Sequence, residues 1–192
     1  MNLIRKLFNP PLRLSSLDMG ENKRIVSKAL KELNCIGEWR EEKDAAIVRF
    51  GFQSGHFGIR IFSKHPQVEL SFLFFAEAEM KDINIVRHVC NHFNLNSDGP
   101  RFSYTINEET NVIDLHILTA LLLDEDRAQD ILSSAMVDMF AWQNSFIRNL
   151  TDIKNDAKNS STTDLEWASK EVERDIFLLR EQELRHQKKG AE

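Results

Sequence analysis

His88 and His92 are the first residues to weigh for chemistry, because histidines four apart in a helix bring two imidazoles to one side, as a metal ion requires. No glutamate follows His88 to supply a metalloprotease base, and both positions fall opposite the apolar face of their segment, so they read as two solvated histidines. Gly51-Phe52-Gln53-Ser54-Gly55-His56 places a serine before a glycine, yet Phe52 stands where a nucleophile elbow needs glycine and no helix comes after it. Its glycines read as turn residues. Asp124-Glu125-Asp126 could hold a cation and is explained more simply by acids in the first turn of a helix, where the helix dipole favours them. Asp114 and His116 share one face of a strand and could form an acid–base pair, but no third group is evident nearby, so a solvated or strand-edge pair is the simpler reading. No GxxxxGK[ST] or GxGxxG run occurs, which removes the common phosphate cradles. The expectation is therefore no catalytic residues, no metal ligands and no cofactor.

Composition narrows the class further. A chain of 192 residues with 42% hydrophobic content and 13 Phe has ample material for one core and an appendage. A net charge of -5 with acids and bases interspersed argues against nucleic acid as a partner. Cys35 and Cys90 are too few for a disulfide framework and read as reduced, buried packing residues of a cytoplasmic protein. No apolar run approaches the roughly 20 residues of a membrane span. Met1 to Phe8 is cut off by Asn9, Pro10 and Pro11 before a signal-peptide core could form, so residues 1–14 read as an N-terminal tail.

The elements that must position these side chains emerge from periodicity. Val26, Ala29, Leu30 and Leu33 fall on one helical face between Ser16 and Asn34. From Cys35 to Phe75 the pattern is strand-like: Ala46, Val48, Phe50 and Phe52 alternate, then Phe57, Ile59 and Ile61, then Val68, Leu70, Phe72 and Phe74, with turns between. In the last of these strands Glu69 and Ser71 give way to Leu73 and Phe75 on the opposite parity, which predicts a strand covered on both sides at that end. Ile83, Val86, Val89, Cys90 and Phe93 predict a second helix over Lys81 to Asn94. Phe102, Tyr104 and Ile106 lead a hairpin whose return strand, Val112 to Leu123, is apolar on both parities.

A long third helix is predicted to run to Leu150, with one apolar stripe through Ala128, Leu132, Ala135, Met139, Trp142, Phe146 and Leu150, and a second through Met136, Phe140 and Ile147. A single sheet contact needs only the first stripe, so the second, with Leu73 and Phe75, is predicted to bind a partner. On that reading Phe140→Asp shifts the oligomeric state more than it destabilises the fold. Residues 151–163 are polar and read as a linker, and residues 164–192 as a C-terminal amphipathic helix opened by the capping pair Thr163 and Glu166.

The expected architecture is α+β: an antiparallel sheet of five to six strands with helices packed on one face, in the order α, three to four β, α, β, β, α, plus the last helix. This order over residues 15–150 resembles the type III secretion chaperone-like fold shared with the YbjN-type bacterial sensory transduction regulators. The resemblance implies a small, acidic, cytoplasmic and often dimeric domain that binds proteins and does not catalyse. The function expected is a protein-binding module serving a polypeptide or a second copy of itself. The alternative is a small-molecule or enzymatic pocket between sheet and helices, gathering Asp114, His116, Tyr104 and Arg101.

Overall fold

The computed structural model describes residues 18–96 and 99–159. It is an α+β fold in two layers. The sheet has six strands, β1 (Gly37–Glu41), β2 (Ala45–Phe52), β3 (Gly55–Phe62), β4 (Gln67–Glu79), β5 (Arg101–Asn107) and β6 (Val112–Leu122), in the spatial order β1-β2-β3-β4-β6-β5. Every neighbouring pair is antiparallel. Three helices complete it: α1 (Met19–Glu32), α2 (Ile83–Asn96) and α3 (Ala128–Asn159).

The register sorts the sheet into two faces. Phe50, Phe57, Phe72, Ile117 and Phe102 form one cross-strand row of the inner face, and Val48, Ile59 and Leu70 belong to the next. All of these are buried. Each helix rests on this same face. Leu30 of α1 reaches Gly37 beside Val48, Phe93 of α2 meets Phe102, and Phe140 and Phe146 of α3 meet Phe72, Phe75 and Phe102. Asp18 caps α1 by accepting the Gly20 N–H at 2.8 Å. Asn94 holds α2 to the edge strand through two bonds: its side-chain amide donates to the Phe102 carbonyl at 2.9 Å and its oxygen accepts the Phe102 N–H at 2.7 Å.

Two expectations are corrected by the structure. The helix α3 continues through Asn159, so residues 151–159 are not linker. Polar as they are, Ile153 packs against the core, the Thr151 hydroxyl donates to the Ile147 carbonyl at 2.8 Å, and Lys154 pairs with the buried Asp82. The acids Asp124, Glu125 and Asp126 precede the helix: Asp124 accepts the Asp126 N–H at 3.1 Å in the turn, and Glu125 pairs with Arg24 of α1 at 2.7 Å. The tail (residues 1–14), residues 160–163 and the expected last helix (164–192) lie outside the described residues.

Candidate functional site

The second stripe of α3 is mostly internal. Met136 is fully buried, and Phe140 packs edge-on against Phe57 and Phe72 at ring separations of 5.8 and 5.1 Å. Phe75, also assigned to a partner, is buried against Phe146 and Phe102. Of the stripe, only Ile147 stays exposed, while Leu73 lies on the opposite side of the sheet. The five residues therefore do not form one surface. The reason is the position of α3: it contacts α1, α2 and the sheet together, so a wide arc of its circumference is buried by its own chain.

The outer face of the sheet stays uncovered by the described residues. One row of it runs through Glu38, Arg49, Gly58, Ser71, Leu118 and Arg101, and the next through Arg40, Ile47, Arg60, Glu69 and Ala120. At one end lies a concavity of about 470 Å³, walled by Ile36, Glu38, Arg49, His56, Leu73 and Phe74. Ile36 is 90% and Phe74 55% exposed, so two large apolar side chains stand in water at the same hollow. The floor opens because Gly51 has no side chain: a Cβ there would meet nothing closer than the Gly55 carbonyl at 4.0 Å. Gly58, by contrast, is roofed by Ser71 and Leu73. A second hollow of about 240 Å³, lined by Phe62, His65, Gln67, Val68, Glu69 and Ala120, lies at the other end of β4.

Phe74 owes its exposure to an irregularity in β4. Phe72 pairs with Ile117 and Ala76 with Leu115, so Leu73, Phe74 and Phe75 together oppose the single residue His116. Simple alternation predicts Phe74 inward with Phe72; the bulge turns Phe74 out and Phe75 in. Phe74 sits at φ 53, a left-handed conformation that costs a bulky residue on the order of 1–3 kcal/mol. Two bonds hold it. The Phe74 N–H donates to His116 Nδ1 at 3.1 Å, and the Gln143 amide of α3 donates to the Phe75 carbonyl at 2.9 Å.

His116 is not the solvated or edge residue expected. It is 6% exposed, with Nε2 2.9 Å from Thr105 Oγ1 and its ring edge-on to Phe74 at 5.0 Å. Burial lowers its pKa below the ordinary histidine value, against a smaller opposing pull from Asp114. Tyr104 faces the inner layer through its pairing with Leu115, whereas Asp114 and His116 face outward, so no cleft between sheet and helices gathers these groups.

The other candidates stand apart from this concavity. His88 is buried, contrary to the solvated reading, and His92 is exposed. Among the described residues no three His, Cys, Asp or Glu side chains converge as metal ligands. Cys90 is buried, which pushes its thiol up to about 12, and Cys35 is half-buried with its thiol raised for the same reason. Gln53 and Ser54 form the tight turn between β2 and β3. Among the described residues no helix is long and apolar enough to cross a membrane.

Sequence reasoning placed one of the concavity's walls, Leu73, and missed Ile36, Glu38, Arg49, His56 and Phe74. Gly51 on the outward parity of β2 was the available signal, since it marks where the face has no side chain. No protein-family model, no curated protein and no solved structure matches the chain.

Proposed function

We propose that this chain is a non-catalytic protein-binding module that docks an extended, acidic polypeptide on the open face of its sheet, seating one apolar side chain between Ile36 and Phe74. The observation that carries the reading is the one-sided covering of the sheet: α1, α2 and α3 share one face, and the other keeps two large exposed apolar side chains around a floor of bare backbone. Charge supports the choice of partner. Of the arginines in the two outer rows, Arg60 is paired with Glu42 at 3.1 Å, while Arg40, Arg49 and Arg101 stand exposed beside Glu38 and Glu69 as cations for a partner's carboxylates, with Asp114 and Glu77 confined to the far end of β4 and β6. Geometry supports a polypeptide over a small molecule. The two hollows are separated by the stretch of β4 from Gln67 to Leu73, roughly 20 Å at about 3.3 Å per residue, which an extended peptide of some six residues spans.

Gly51→Val tests the proposal. The added side chain points into open space and suits a strand, so the fold is retained while the floor of the concavity is raised between Ile36 and Phe74. Peptides selected by display against the intact chain are expected to combine an apolar anchor with carboxylates. Their affinity for Gly51→Val should fall by about tenfold or more, the loss of one buried apolar anchor. Self-association that Gly51→Val abolishes would make a second copy the occupant in place of the acidic peptide. Selected peptides that bind Gly51→Val as tightly as the parent would remove the concavity from the account.

A further inference from the structure

Gln143 holds the Phe75 carbonyl of the bulge, but the Phe74 N–H itself is held by one imidazole, and the consequence of that bond rests on the docking role proposed above for the Phe74 wall. An Nδ1 that accepts the Phe74 N–H fixes the neutral Nε2–H tautomer, whose remaining proton is donated to Thr105 Oγ1. Both ring nitrogens are thus committed to neighbouring strands, Nδ1 to β4 and Nε2 to β5. We propose that His116 is a positioning residue that makes the docking surface pH-sensitive: the neutral ring holds Phe74 as a wall of the concavity, and the protonated ring releases it.

The switch is a reversal of hydrogen-bond polarity. Protonation turns Nδ1 from acceptor to donor and sets two N–H groups against each other at 3.1 Å, in a segment whose left-handed Phe74 backbone has no intrinsic preference for its place. The charged or titratable groups sharing the outer face around the ring are Asp114 on β6, Glu77 opposite it on β4, Arg101 on β5 beside Leu118, and His56 on β3 opposite Leu73. Asp114 favours the cation, and burial outweighs it. The folded state therefore holds the neutral form. The bulge is complete above the ordinary histidine value of 6.5 and is lost as pH falls through the lower folded-state value.

The test needs no ligand. In the full chain, the His116 ring resonances and the exchange protection of the Phe74 amide are monitored by NMR from about pH 7.5 to 5, the range that histidine titration spans. The expected result is an Nε2–H tautomer at the upper end and a Phe74 protection factor that falls by up to about tenfold per pH unit between 6.5 and the lower folded-state value and levels off beneath it, while Ile59 in β3 keeps its protection. His116→Asn should retain a Phe74 acceptor and show no such step. An Nδ1–H tautomer at neutral pH, or Phe74 protection that stays flat while His116 titrates, overturns the proposal with or without the variant. Either result leaves the Gly51→Val test of docking standing, because that test is run at neutral pH.

Discussion

Phe140→Ala separates two accounts of the second stripe on α3. If the stripe serves a partner, removing the ring costs little in the isolated chain; if it is core, the fold weakens. In the structure Phe140 is half-buried, touches Phe57 and Phe72 edge-on, and lies 3.2 Å from where a Cβ on Gly55 would sit. A fully buried Phe→Ala substitution costs about 3–5 kcal/mol, made up of lost transfer and residual cavity. Discounted for the part of the ring that stays in water, about 2–3 kcal/mol is expected here, including two aromatic contacts of roughly 0.5–1.5 kcal/mol each. Ile147, exposed on the same stripe, provides the control: Ile147→Ala should cost about 1 kcal/mol or less. The assay is urea unfolding of the full chain read by tryptophan emission, to which Trp142, packed on Phe93 and Phe102, contributes with Trp39 and Trp167, with sedimentation run on each variant. With a slope of about 1–3 kcal/mol per molar urea, the Phe140→Ala midpoint should move down by about 1 M. A midpoint unchanged within error, together with dissociation of an oligomer, would refute the packing argument and restore the stripe to a partner.

Two further substitutions probe how the helices are fastened. Asn94→Ala removes both bonds to the Phe102 backbone and leaves the outer edge of β5 unsatisfied, so a loss of about 1–3 kcal/mol is expected, with amide exchange accelerating in β5 ahead of β3. Lys154→Met leaves the buried Asp82 carboxylate without its partner; since Lys154 is partly exposed, about 1–2 kcal/mol is expected, with helical signal lost selectively from residues 151–156.

The order of elements was legible because it depends on local periods. Alternation in Ala46–Phe52 and Phe57–Ile61 needs only the two-residue repeat of a strand, and the face of α2 only the helical one. The failures depend on contacts between distant residues. Alternation assigns Phe74 to the core and Phe75 to the second face, and nothing within β4 contradicts it. The exchange is imposed by His116, 42 residues away, and by Gln143, 68 residues from Phe75. The second stripe of α3 failed for a related cause. A helix alone on a sheet needs one stripe, but α1 and α2 flank this one on the same face, and neither the number of helices beside it nor their side of the sheet is written in its own residues.

The same cause hides the candidate site. Surplus oily residues are what a sequence displays, and the ones on display here, Met136, Phe140 and Phe75, have partners within the chain. The surface that lacks a cover is marked instead by missing side chains at Gly51 and by a phenylalanine displaced outward by a buried histidine. A left-handed Phe74 stabilised from beneath by His116 stores strain in order to hold a bulky ring in water. A regular strand would bury Phe74 but turn Phe75 away from Phe102 and Phe146, so the bulge exchanges which of the two rings is buried and leaves Phe74 as the one in water. The ring left in water belongs to the open face and not to the α3 stripe, which is why the proposed docking site is placed there.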